Sequence, residues 1–205
     1  MALRTALFFQ ANNFIGREYL HRMKLVGRTP DLCVTIGHMS PKSIAFEKKR
    51  TGGRWNPPNP DGSISVEHYS SLSEERLWEQ VTASSIDIII QGGIGILKSE
   101  MLAVPTIGFL NIHPGRLPGY RGNSCPEWAL LSGSDVYATA HLIDANIDTG
   151  PTICEARYEI ESTWDYFDFR AHLYGHCGQV LIKALSIMEN SAANLEHVLT
   201  PQDEA

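Results

Sequence analysis

An amide, an imidazole and a carboxylate stand where two strands of this chain are expected to end. Asn111 and His113 close an apolar stretch that begins at Thr106, and Asp148 opens the turn Asp-Thr-Gly-Pro. Side chains two residues apart in a strand project to the same face, so Asn111 and His113 point the same way. Such a set suits acyl transfer without a covalent intermediate, because the amide and a protonated imidazole stabilise an oxyanion while the carboxylate relays a proton. The carboxylate is also expected to raise the pKa of His113.

The elements that position these residues alternate between apolar strands and amphipathic helices. This order predicts an α/β fold, a Rossmann-like, mostly parallel twisted sheet with helices on both faces. We assign residues 1–190 to a single domain and residues 191–205 to a flexible C-terminal tail. The helix caps are predicted at Ser73, at Ser124, and at Ser162 or Thr163. Strands are predicted at 5–9, 32–36, 86–91, 106–113, 137–143 and 153–160, and helices at 14–26, 73–83, 125–131 and 164–188.

Composition and charge exclude several classes of protein. The chain has 205 residues with a net charge of −6, which argues against a broad nucleic-acid or anionic membrane surface. No apolar run reaches the roughly 18 residues of a membrane span, and residues 1–10 resemble a strand more than a signal peptide. The four cysteines lack Cys-x-x-Cys spacing, so we expect free thiols, no metal site and a cytoplasmic location.

Two sequence motifs resemble the signature of the folate-dependent formyltransferases. That family carries Asn-x-His-x-x-x-Leu-Pro followed by Asp-x-Gly, and the match here is Asn111, His113, Leu117-Pro118, Asp148 and Gly150. The resemblance implies the formyltransferase fold and catalytic roles for the amide, the imidazole and the carboxylate. It also implies 10-formyltetrahydrofolate as co-substrate, without a metal. Further residues resemble the branch that contains methionyl-tRNA and sugar-amine formyltransferases, namely Tyr120-Arg121-Gly122, Pro126 and Trp128.

The same resemblance places the pterin ring of the folate between two backbone segments. The first is Ile94-Gly95-Ile96-Leu97, and the second runs from Leu142 to Asp148. Apolar walls suit a flat ring, and a glycine allows the backbone to approach it closely. The contacts expected from the second segment are Leu142, Ile143, Asp144 and Ile147.

Candidate contacts for the second substrate are cations and aromatic rings near the motif. Arg116 and Arg121 are expected to bind a phosphate or carboxylate, and Tyr120 lies between them. Trp55 stands in a Gly- and Pro-rich stretch, residues 48–65, which has the composition of a loop. His141, in the middle of a strand, is expected to be structural.

The acceptor is chosen by elimination among the branches of the family. Compared with the family, residues 10–15 are not expected to form the phosphate loop of glycinamide-ribonucleotide formyltransferases, and the extra domains of the tRNA-specific and hydrolase branches are expected to be missing. We therefore expect the primary amine of a nucleotide-linked amino sugar. Gly115-Arg116 replaces the Ser-Leu common after the histidine, which leaves the acceptor open. The alternatives are another small amine of the glycinamide-ribonucleotide or hydroxyornithine type, a deformylase, a non-catalytic folate-binding module, and a metal hydrolase using His113, His141 and Asp148. A homodimer also stays open.

Overall fold

A single seven-stranded sheet forms the centre of the computed structural model, which describes residues 3–202. Residues 1–2 of the predicted domain and residues 203–205 of the predicted tail lie outside the described residues. The strand order is β3-β2-β1-β4-β5-β6-β7. The strands are β1 (Thr5–Ala11), β2 (Leu32–His38), β3 (Glu67–Tyr69), β4 (Ile88–Gln91), β5 (Gly108–His113), β6 (Tyr137–Leu142) and β7 (Thr152–Arg157). The helices are α1 (Phe14–Leu25), α2 (Pro41–Arg50), α3 (Glu75–Ala83), α4 (Ser99–Leu102), α5 (Cys125–Leu131) and α6 (Tyr166–Asn190).

The sheet changes from parallel to antiparallel pairing after β5. Strands β1 to β5 pair in parallel, whereas β6 pairs antiparallel with β5 and β7 antiparallel with β6. The predicted α/β, mostly parallel sheet is therefore confirmed. The antiparallel register sets Asn111 opposite His141 and His113 opposite Thr139.

Two apolar layers cover the sheet, one on each face. Leu7, Ile90 and Leu110 pack on one side with residues of α1 and α6. Phe8 and Phe109 pack on the other side with residues of α3. Successive side chains of the central strands are buried on alternate faces, which explains why their sequences are apolar throughout. Burial of each large side chain contributes roughly 1.5–3 kcal/mol to folding.

Three of these elements, α2, β3 and the four-residue α4, were absent from the sequence prediction. Helix α2 occupies part of the predicted 48–65 loop and carries no buried residue, so its sequence has no apolar stripe to reveal it. Local signals hold its first turn: the Ser40 side chain accepts a hydrogen bond from the Ser43 amide at 3.0 Å, and Pro41 follows the cap. Strand β3 has only three residues.

The predicted cap residues were wrong at α3 and α6, whereas at α5 Ser124 is the N-cap residue but makes no side-chain cap bond. Helix α3 follows Glu74, which makes no side-chain cap bond. Ser124 precedes α5 but sits at φ 58°, and its side chain also caps nothing. Helix α6 starts after Asp165, whose carboxylate accepts hydrogen bonds from the Phe167 and Asp168 amides at 2.8 and 3.0 Å. An aspartate two residues beyond Thr163 and three beyond Ser162 thus replaces the predicted serine or threonine.

The segment predicted to be a flexible tail is in contact with the sheet as far as residue 202. A 3₁₀ helix spans Leu195–Val198, and Thr200 pairs with Thr152 through two backbone hydrogen bonds of 2.8 Å. The Gln202 amide donates to the carbonyl oxygens of Asp148 and Gly150 at 3.0 and 2.7 Å. The described part of this segment therefore supports the loop that carries the candidate catalytic carboxylate.

None of the helices between residues 3 and 202 combines the length and the apolar character needed to cross a lipid bilayer.

Candidate active site

Four polar side chains meet where β5, β6 and the loop after β6 approach one another; we call Asn111, His113, His141 and Asp148 the polar cluster. Asn111 and His113 lie on one face of β5, as the spacing predicted, because side chains alternate along a strand. Leu110, between Phe109 and Asn111, is buried on the other face of the sheet. The structure therefore brings the three predicted catalytic residues together and adds His141 to them.

The imidazole of His113 lies between two oxygen acceptors. Its Nε2 donates to the carbonyl oxygen of Tyr120 at 2.7 Å, and its Nδ1 lies 3.3 Å from Oδ2 of Asp148. The histidine side chain is only 5% exposed and the carboxylate 14%. The carboxylate is thus the member of the pair that an incoming substrate reaches first.

Burial reverses the expected charge of this imidazole. It lowers the pKa of His113 below the ordinary histidine value, outweighing the Asp148 carboxylate and the Tyr120 carbonyl, which act in the opposite direction. The predicted rise was therefore wrong. Burial also acts to raise the pKa of Asp148, but hydrogen bonding to His141, the His113 ring and the Gly122 amide together lower it. Near neutral pH the pair is a neutral imidazole beside a carboxylate.

The backbone around Asp148 is held in an uncommon conformation. Asp148 has φ 55°, and its Oδ2 accepts a hydrogen bond from the Gly122 amide at 2.9 Å. The Asp144 side chain closes the loop by accepting from the Thr149 hydroxyl at 2.6 Å. A side chain on Gly150 would overlap the carbonyl oxygen of Leu142. This close approach explains why the Asp-x-Gly motif requires its glycine.

Sequence reasoning grouped His141 with His113 and Asp148 only in the metal-hydrolase alternative. Its Nε2 lies 3.2 Å from the amide nitrogen of Asn111 and 3.6 Å from Oδ1 of Asp148, while its Nδ1 donates to the Leu142 carbonyl at 2.9 Å. The residue was expected to be structural. The missing signal was the antiparallel pairing of β5 with β6, which places it opposite Asn111.

The two predicted folate segments contribute to a common apolar cluster. Ile94 is buried in it beside Phe109, and Leu97 and Ile143 pack against it. The tips of the two segments are exposed instead, Ile96 to 96% and Ile147 to 75%. Paired apolar segments with uncovered tips are suited to holding a flat ring.

The other three predicted folate residues hold the conformation of these segments. Gly95 has φ 88°, a conformation that favours glycine. Leu142 is buried in the core, and Asp144 accepts the hydrogen bonds within its own loop.

The four predicted substrate contacts are occupied by other parts of the protein. Trp55 is buried, stacks on Tyr174 with ring centroids 3.9 Å apart and donates to Glu18 at 3.2 Å. It is part of the packing between α1 and α6 and not of an exposed loop. The remaining three make polar contacts: Arg116 pairs with Glu155 at 3.0 Å, the Tyr120 hydroxyl contacts Ser132 at 2.8 Å, and Arg121 donates to Gln202 at 2.9 Å.

A cavity of about 320 Å³ opens beside His113 and Asp148. Two helices supply further charged and aromatic walls, with Arg50 from α2 and Arg170 and Tyr174 from α6. Sequence reasoning had not named these three residues. A larger groove of about 650 Å³ lies along α6, lined in part by Trp55, Trp164 and His176, and includes no member of the polar cluster.

Within residues 3–202, no group of three or more His, Cys, Asp or Glu side chains is arranged to hold a metal ion.

Similarity to known proteins follows the same region of the chain. The model of a family described as formyl transferase matches residues 35–185. A methionyl-tRNA formyltransferase of Deinococcus radiodurans is 32% identical over 128 residues, 62% of this chain and 38% of that protein. Another from Nitrosococcus oceani is 29% identical over 161 residues, 75% of this chain and 49% of that protein. The chain thus spans half or less of the length of these curated relatives.

Solved structures share the fold over almost the whole chain. Glycinamide ribonucleotide transformylase 1 of Symbiobacterium toebii superposes with a TM-score of 0.68 at 19% identity, covering 98% of this chain and 95% of that one. A 4-N formyltransferase of Francisella tularensis gives a TM-score of 0.55 at 16% identity, covering 98% and 74%. Because the family model matches more than half of the sequence, this protein belongs to the formyl transferase family.

Proposed function

We propose that this chain transfers a formyl group from 10-formyltetrahydrofolate to the primary amine of a small acceptor, a nucleotide-linked amino sugar or a similar amine. The observation that carries the proposal is the contact between His113 Nδ1 and Asp148 Oδ2 at the wall of a cavity, with Asn111 in the same cluster. The membership of the formyl transferase family supports formyl-folate as the donor. No structural feature requires an acyl-enzyme intermediate.

The reaction begins when the acceptor nitrogen attacks the formyl carbon and a tetrahedral species forms. The nitrogen must then lose a proton. Asp148, the more exposed member of its pair, accepts that proton and shares it with Nδ1 of His113. The neutral imidazole becomes a cation only at this stage, beside the developing oxyanion. The same proton is then delivered to the folate nitrogen as the carbon–nitrogen bond breaks.

Asn111 supplies the second interaction with the oxyanion. Its amide nitrogen lies 3.2 Å from His141, and an amide carries two protons, so one remains for the formyl oxygen. His141 thereby orients the amide without contacting the reacting carbon. Hydrogen bonds of this kind contribute to rate when they are stronger in the transition state than in the ground state.

The test is a spectroscopic turnover assay with 10-formyltetrahydrofolate and a panel of amines. The panel contains nucleotide-linked amino sugars, glycinamide ribonucleotide, hydroxyornithine and methionyl-tRNA, with an amine-free control. Loss of the formyl group with an amino sugar alone supports the proposal. Loss without any amine identifies a deformylase. Folate binding without turnover across the panel contradicts the proposed activity and favours a binding module. Sensitivity to a chelator would favour the metal hydrolase.

A further inference from the structure

Two arginines from different helices share the cavity that contains His113 and Asp148. The guanidinium carbons of Arg50 and Arg170 each lie 5.2 Å from the ring centroid of Tyr174, so two positive charges converge on one aromatic ring. We call Arg50 and Arg170 the arginine pair. Besides burial, the charge of Arg170 acts to lower the pKa of Arg50, so the two cations repel each other unless negative groups approach them.

The protein itself supplies only part of the required negative charge. Arg50 Nε donates to Glu47 at 2.8 Å, and Arg170 Nη1 lies 3.2 Å from Glu127. Arg170 Nη2 donates to the Tyr174 hydroxyl at 2.5 Å. Each arginine thus has one carboxylate partner, and that partner engages only part of a guanidinium that carries five N–H donors.

Unused donors remain on both arginines. The Arg170 side chain is only 4% exposed, yet its Nε has no hydrogen-bond partner in the described structure. A buried donor without an acceptor costs roughly 1–3 kcal/mol. Arg50 is more accessible, at 26% side-chain exposure, and its hydrogen bond to Glu47 uses only Nε. Burial, followed by the charge of Arg170, lowers the pKa of Arg50.

We propose that the arginine pair binds an anionic group of the acceptor, a phosphate or a carboxylate, while the acceptor's amine reaches Asp148. Resting on the function proposed above, this narrows the acceptor to amines that carry an oxyanion. Arginine suits this role because its planar fork of donors matches the oxygens of phosphate and carboxylate.

The test combines direct binding with kinetics, using Arg50→Gln as the main variant because Arg50 is the more exposed arginine. Lys49→Gln is the matched control: it removes the same charge from the adjacent, exposed position of α2. Calorimetry with inorganic pyrophosphate and, separately, with succinate identifies whether phosphate or carboxylate is preferred. We expect pyrophosphate to bind the wild-type chain and Lys49→Gln within about twofold of each other, and Arg50→Gln at least tenfold more weakly.

The kinetic measurement uses whichever amine of the panel is turned over. Arg50→Gln is expected to raise KM for an anionic acceptor about tenfold with kcat changed less than threefold, the signature of lost substrate binding. Equal pyrophosphate and succinate affinities of the wild type and Arg50→Gln, or no binding of either anion to the wild type, overturn the proposal.

The two proposals fail in distinguishable ways. If no amine is turned over but pyrophosphate binding depends on Arg50, the anion site stands and the proposed activity fails. If an amine is turned over and Arg50→Gln behaves as Lys49→Gln does in both assays, the activity stands and the anion site fails. Melting temperatures of all variants show whether the effects come from the site, and Arg170→Lys, which keeps the charge, tests the buried arginine in the same way.

Discussion

The two sides of the cavity beside His113 and Asp148 are built in contrasting ways. The polar cluster comes from strand ends and a tight loop, and its members orient one another at 3.2 to 3.6 Å. The arginine pair comes from α2 and α6, 120 positions apart in the chain, and retains donors that no described group accepts. The polar cluster is already ordered by its own contacts, which suits catalysis. The arginine pair has hydrogen-bond donors without acceptors, which suits the binding of an anionic ligand. Changes in the cluster should therefore affect kcat and changes in the arginine pair KM.

Among the variants of the polar cluster, Asp148→Asn should cause the largest fall in kcat. The amide cannot accept the proton of the attacking amine, so kcat should fall by about a hundredfold or more while KM changes little. Steady-state kinetics with the best amine checks the result. Asp135→Asn, which makes the same chemical change at an exposed ion pair with Arg157, is the control. Near-normal turnover of Asp148→Asn would contradict the proposed mechanism. His113→Ala removes the other member of the pair, and near-normal turnover of that variant would contradict it too.

Gly115→Ala should disturb the cluster sterically. An added Cβ would lie 2.6 Å from His113 Nε2 and 2.7 Å from the Tyr120 carbonyl oxygen, so the imidazole must shift. We expect kcat to fall about tenfold to a hundredfold, since misplacement by about 1 Å can have this effect. Gly119→Ala in the same loop is the control, because its nearest atom, the Arg116 carbonyl oxygen, lies 3.8 Å away. Equal activity of the two variants would show that the position of the imidazole does not matter.

His141→Gln should have an intermediate effect. The change removes the ring that contacts both Asn111 and Asp148, so we expect kcat to fall about tenfold. Kinetics with the same amine measures the change, and an unaltered melting temperature would separate it from loss of folding. An increase in KM with kcat preserved would instead assign His141 to acceptor binding and would contradict the division between the polar cluster and the arginine pair.

The smallest effect is expected in the pH dependence of stability. The pKa of His113 is lower in the folded than in the unfolded chain. As pH falls through about 6.5, the unfolded chain therefore takes up a proton before the folded chain does, and the free energy of unfolding decreases. The lowered pKa of Asp148 acts in the same direction at more acidic pH. Thermal unfolding of His113→Gln between pH 7.5 and 5.5 should show a shallower loss of melting temperature than the wild type. A steeper loss would show that His113 is charged in the folded protein.

The part of this structure that could be predicted from sequence is the part specified by local pattern. Buried strands such as β4 and β5 are recognisable from uninterrupted apolar residues, and the spacing of Asn111 and His113 predicts their shared face. Helix α2 lies on the surface without an apolar stripe, and strand β3 is too short for a period to be read.

Other features depend on contacts between distant segments. Arg50 and Arg170 meet only because α2 and α6 are folded over the same cavity, and nothing near either residue indicates the other. The direction of the pKa shift of His113 depends on how deeply the ring is buried, which its neighbours in sequence do not specify. Trp55 likewise stands in a loop-like sequence yet packs on Tyr174.

The hydrogen bonds of Gln202 couple the position of residue 202 to that of the loop that carries Asp148. Any opening of the loop that carries Asp148 and Gly150 has to break the two bonds from the Gln202 amide, or else displace residue 202 and its contact with Arg121. The position of the candidate carboxylate therefore depends in part on Gln202, which lies 54 positions away in the sequence.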